Sequence, residues 1–205
     1  MSDDRHRLLW TALALAYFTV VYNVVEGAIA VTAGAIAGSS ALVGFGLDSS
    51  VESLSAVVLI WRLRVERSDP ERAEHVEHRA VRLIGTTFFI LAAYVGVEAV
   101  RSLLSRSEPE SSPVGIVLTI ASLIVMPVLA SRKRVVGAEM GSRAVLADAA
   151  ETRACVYLSA VVLVGLVLNA ALGWWWADPL AALGVVYFLI REGLEAFDED
   201  DDESD

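Results

Sequence analysis

Six runs of apolar residues, at about 8–33, 40–61, 83–100, 113–130, 144–172 and 174–194, occupy most of the chain. Each is near the ~20 residues that an α-helix needs to cross the hydrocarbon core of a bilayer. Helix is the state that lipid demands of such segments. An unpaired backbone N–H or C=O in hydrocarbon costs several kcal/mol, and a single open strand leaves a whole edge of them. The sequence therefore predicts an all-α membrane protein: a six-transmembrane-helix bundle over residues 1–196, followed by an acidic disordered tail over 197–205. The first run carries Glu26 and is far longer than the ~7–15 apolar residues of a signal peptide, so it reads as a span.

Composition then has one conflict to resolve. The chain is 56% hydrophobic, above the ~45–50% of an ordinary globular domain, yet its formal net charge is −10. Between Asp198 and Asp205 every residue but Ser204 is a carboxylate, so most of that charge belongs to the tail. The rest is nearly neutral. Fifteen of the sixteen cationic residues are Arg, Lys133 being the exception, which reads as coding bias. No basic patch with interleaved aromatics exists, so nucleic acid is not an expected partner. Cys155 is the single cysteine, which excludes an intramolecular disulfide.

Local signals fit the helical reading. Ser112-Pro113 and Asp178-Pro179 each set a capping residue before a proline suited to a first helical position. Gly34 and Gly38 have the small-xxx-small spacing that lets helices approach closely. Pro127 predicts a kink in the fourth helix, and Trp174, Trp175 and Trp176 an interfacial anchor. Orientation follows from the cations. With the N-terminus inside, the cytoplasmic segments collect Arg5, Arg7, Arg62, Arg64, Arg67, Arg72, Arg79, Arg82, Arg132, Lys133, Arg134, Arg143 and Arg191, against Arg101 and Arg106 outside. Both termini are then cytoplasmic.

Ionisable groups inside spans are costly and mark function by default. Asp48 and Glu52, four apart, share one face of the second helix. Asp148, Glu151 and Cys155, at offsets of three and four, form one stripe on the fifth. Glu52 lies ten residues from Arg62 and Glu151 eight from Arg143, so both sit ~12–15 Å inside at ~1.5 Å per residue. The helices run in opposite directions, which lets Glu52 face Glu151 and Asp48 face Cys155. Such donors repel one another unless protonated or bridged by a divalent cation. Thiolate with carboxylates suits zinc or a similar transition metal better than magnesium or calcium. Protons and metal compete for the same groups, which supplies a basis for exchange.

At this point the chain resembles a known family. The run from Gly38 through Asp48 to Leu54 is similar to the second-helix signature of the cation diffusion facilitators, a Gly-Ser-x-Ala-Leu segment before two metal ligands four apart. The run from Ala147 to Ser159 resembles that family's fifth-helix motif, and Trp176 to Leu183 the opening of its sixth helix. The resemblance implies that Asp48, Glu52, Glu151 and Cys155 are transport-site ligands. It also implies export of divalent cations in exchange for protons, by a homodimer in the plasma membrane of a prokaryote. Zinc is the first expectation for the metal, with manganese, cobalt, cadmium and iron as the others. The family's His-then-Asp on the fifth helix is here Glu151 then Cys155, and Asp148 can substitute as a ligand. The short acidic tail is expected to stand where the family has a cytosolic domain after the sixth helix. No histidine is expected in any helix. His75 and His78, among Glu71, Glu74 and Glu77, form either a weaker cytoplasmic metal site or a solvated helix start. Glu26 either joins the cation path or pairs with Arg153, and the ion pair is the preferred reading. Two other functions are carried as alternatives: an intramembrane metal-dependent enzyme, and a non-transporting scaffold that binds metal.

Overall fold

The computed structural model describes the backbone of residues 3–65, 70–106 and 108–202, and the side chains of 6–64, 86, 88–106, 108–142, 144–191, 193 and 194. Among the described residues all regular structure is helical. The order is α1 (Asp3–Ala37), α2 (Ser40–Val65), α3 (Pro70–Ser105), α4 (Pro113–Met140), α5 (Arg143–Leu172) and α6 (Ala177–Asp202). Among the described residues five stretches are long and apolar enough to cross a membrane: His6–Ala37, Ser40–Arg64, Phe88–Ser105, Pro113–Met140 and Ala144–Leu172. α6 is not among them.

The helices outrun the apolar stretches that announce them. α2 continues to Val65 with Arg62 and Arg64 in its last turn, where cations meet the negative end of the helix dipole favourably. α4 runs unbroken through Pro127 to Met140, ten residues past its expected end at 130. It stops at Gly141, whose φ of 62° is left-handed and whose N–H reaches the Ala138 carbonyl. Ser142 then caps α5. Longer helices also overturn the reading that no helix holds a histidine. His6 lies on α1, where its Nε2 accepts from Trp10 Nε1 at 2.9 Å. The backbone of His75 and His78 falls within α3, though their side chains, and with them a loop metal site, lie outside the described residues. α6 is helical as far as Asp202, so the backbone of the expected disordered tail is helical for most of its length.

α2 is the hub, packing against α1, α3, α5 and α6. The α1–α2 contact is the most extensive, and glycine explains why. A Cβ added to Gly46 would stand 2.8 Å from Ala30 Cβ and from Val31 N, and one on Gly27 would meet the Gly46 carbonyl at 2.8 Å. Gly34 packs against Val43 in the same seam. Gly38 does not: its φ is 67° and nothing lies within 4 Å, so it ends α1 instead of completing a packing motif.

Asp178 also differs from its expected role. Its carboxylate points away from α6, accepting from Ser39 Oγ and, at 3.3 Å, from Ser40 Oγ. Ser39 Oγ in turn accepts from Leu42 N at 3.1 Å. Asp178 thus braces the N-terminus of α2 from the neighbouring helix. Trp174 and Trp176 stack with ring centroids 5.0 Å apart on the exposed α5–α6 connection.

Candidate metal centre

The buried face of α2 is polar through its middle: Asp48, Ser49, Glu52 and Ser53 are all buried. Opposite lies α5, whose buried polar residues are Asp148, Thr152 and Ser159, with Cys155 between them. Both sets follow the three-and-four spacing of one helix face.

At one level Cys155 Sγ lies 3.9 Å from Asp48 Oδ2, the pairing expected from antiparallel helices. A turn away the pairing shifts by one residue. Glu52 Oε1 receives a hydrogen bond of 2.8 Å from Thr152 Oγ1, where Glu151 was expected. One residue is about 100° of helix, enough to turn a side chain off the face. Glu151 is half-buried, while Asp148 is buried with its neighbour Thr152. Asp48, Glu52, Asp148 and Cys155 therefore share the α2–α5 interface. Among the described residues no three His, Cys, Asp or Glu side chains are gathered closely enough to hold one ion.

A cation stands among these groups instead of in a loop. Lys133, carried inward by the extra length of α4, is only 1% exposed. Its Nζ lies 2.8 Å from Asp148 Oδ2 and donates to Thr152 Oγ1 at 2.8 Å. Thr152 has one proton, directed at Glu52 Oε1, with the Asp148 carbonyl oxygen at 3.0 Å as the alternative acceptor. An ammonium thus ties two carboxylates on two helices, one directly and one through a hydroxyl. Lys133 was legible only as the one Lys among fifteen Arg. An Arg would bring a planar five-donor fork to a space that an ammonium fills as a point charge.

α1 supplies a second polar group to the same interior. Glu26 is buried, accepts from Ser49 Oγ at 3.2 Å, and has Tyr22 and Ser122 beside it. It does not pair with Arg153, which is exposed and lines a groove with Ser131, Arg134 and Tyr157. The preferred ion-pair reading is thereby corrected: a short offset from the stripe on α5 sends the long guanidinium side chain outward. Ser122 Oγ is 3.1 Å from Ser159 Oγ, which continues the polar line from α4 to α5. Several buried atoms have no hydrogen-bond partner within the described structure: Glu26 Oε1, Glu52 Oε2, Asp148 Oδ1 and both amide atoms of Asn23. Buried polar atoms are rarely left so. The open oxygens among them are free to accept from groups that enter the interior.

Residues 16–200 match the model of the cation efflux transmembrane domain. An uncharacterized transporter of Synechocystis sp. is 32% identical over 80% of the chain and 55% of the relative's length. The magnetosome protein MamB of a Magnetospira species is 25% identical over 93% of the chain and 64% of its own. The cation-efflux pump FieF of Shewanella oneidensis is 26% identical over 78% and 55%. The chain thus spans a little over half the length of these relatives.

Proposed function

The chain belongs to the cation efflux family, and from that premise we propose that it moves divalent transition-metal cations out of a prokaryotic cell, in exchange for protons. In this reading all six helices span the plasma membrane, both termini are cytoplasmic, and the working unit is a homodimer. The cargo is zinc or a zinc-like cation. Its donors are Asp48, Glu52 and Cys155, with Asp148 and Glu151 as the competing α5 carboxylates and Glu26 as a station on the path.

One observation carries the site: Asp48 of α2 and Cys155 of α5 meet inside the bundle at 3.9 Å, with Glu52 buried one turn away on α2 and Asp148 buried two turns away on α5. Carboxylate and thiolate together suit zinc-like ions. A proton and a divalent cation compete for the same buried carboxylates, so binding one expels the other. Membership of the family stands against the intramembrane enzyme. The scaffold alternative has no need of several carboxylates in one apolar interior, where each is expensive to place.

The test is flux. Full-length protein in proteoliposomes with an imposed pH gradient should take up zinc, and Asp48→Ala should lower uptake at least tenfold. Asp148→Asn and Glu151→Gln, measured separately, tell which α5 carboxylate binds: the ligand substitution loses flux and the other keeps more than half. Full uptake in Asp48→Ala, or none in the native protein for zinc, manganese, cobalt, cadmium or iron, would refute the proposal.

A further inference from the structure

The Lys133 ammonium is an unusual occupant of a cation transporter's interior. A lysine near a helix end normally snorkels to water along its own flexible stem. Here it is buried with its Nζ 2.8 Å from both Asp148 Oδ2 and Thr152 Oγ1. Thr152 passes that contact on to Glu52 Oε1 at 2.8 Å. The ammonium holds one oxygen of Asp148, and its hydroxyl relay holds one oxygen of Glu52. The remaining oxygens, Asp148 Oδ1 and Glu52 Oε2, are buried and have no hydrogen-bond partner among the described residues.

We infer that Lys133 is a resident cation of the transport site, competing with the transported metal for Asp148 directly and for Glu52 through Thr152. This rests on the transport reading above and adds a residue that sets its affinity. Two like charges cannot share those carboxylates at bonding distance without strong repulsion in a medium of low effective dielectric. Metal moving from Asp48 and Cys155 toward Glu52 and Asp148 therefore drives the ammonium off them. When metal leaves, the ammonium returns and shields the carboxylates from recapturing it. Lys133 is a positioning residue in this scheme, holding the donors when metal does not. Its removal should tighten metal binding and slow release.

The measurement is a split between half-saturation and maximal rate, joined to a binding readout that needs no transport. In proteoliposomes Lys133→Met should lower the half-saturating zinc concentration at least tenfold and lower the maximal flux. Lys133→Arg, which keeps the charge but not the shape, should hold half-saturation closer to the native value than Lys133→Met does. In purified full-length protein, the zinc concentration giving half of the thermal stabilisation should fall by the same factor in Lys133→Met. Because Lys133→Met leaves Asp148 buried without its partner, Lys133→Met/Asp148→Asn is measured alongside as the charge-balanced variant. It should fold as well as the native protein, and zinc should half-stabilise it at a concentration at least tenfold below that which Asp148→Asn alone requires. Unchanged half-saturation in Lys133→Met, or in the double variant where the single one does not fold, would overturn the inference and leave Lys133 as a strut. Absence of both flux and zinc stabilisation in the native protein would instead overturn the transport reading.

Discussion

Thr152 offers the sharpest test of the buried network, because one hydroxyl serves three helices. Thr152→Val keeps the shape of the side chain and deletes only its ability to hydrogen-bond. The residue is fully buried, so water cannot replace what is lost. Two contacts with charged groups disappear, from Lys133 Nζ and to Glu52 Oε1, each 2.8 Å long. A hydrogen bond to a charged group contributes about 1.5–3 kcal/mol. Lys133 retains Asp148 at 2.8 Å, which softens one of the two losses. A net destabilisation of about 3 kcal/mol follows, near the lower end of twice that range. For a chain of this size it lowers the midpoint of thermal unfolding by roughly 6–12 °C, at ~2–4 °C per kcal/mol. The assay is thermal unfolding in detergent followed by tryptophan fluorescence. Thr119→Val is the control: Thr119 is equally buried, but among the described residues its hydroxyl bonds only carbonyls of its own helix, Gly115 and Ile116. It should shift the midpoint by less than a third as much. Equal shifts in the two variants would refute the idea that Thr152 bridges helices.

Two further outcomes test the frame around the site. Gly46→Ala should destabilise by about 1–3 kcal/mol, since the new Cβ meets Ala30 and the Val31 backbone at 2.8 Å, whereas Gly96→Ala, with its nearest neighbour at 3.7 Å, should be near neutral in the same unfolding assay. Asp178→Ala and Ser39→Ala remove two ends of one contact, so a double-mutant cycle should give a coupling of about 1 kcal/mol or more; additive losses would show that Asp178 does not brace α2.

Much of this architecture is legible in the sequence, for one physical reason. Lipid forces apolar runs of span length into helices, so element type follows from composition alone. Residues spaced by three and four must share a face, which is why Asp48 and Cys155 could be paired across two helices before their 3.9 Å contact was seen. The ends of helices were less accessible. Apolarity marks where lipid ends, but backbone hydrogen bonding continues until a cap stops it, and the cap of α4 is Gly141, well past Lys133.

That displaced end is the source of the main error at the site. Between Arg132 and Arg134, Lys133 looks like one more loop cation that orients the chain. On a helix its neighbours point about 100° to either side, so two arginines can stay exposed while the lysine between them is buried. The same angle explains why Thr152, and not Glu151, meets Glu52. Charge invites assignment to a site, and a threonine beside a glutamate does not compete for notice. Yet a hydroxyl is what can accept from an ammonium and donate to a carboxylate at once, which no carboxylate at that position could do. The buried centre therefore needed both kinds of residue: acidic groups that sequence identifies by their cost in lipid, and neutral relays that only packing reveals.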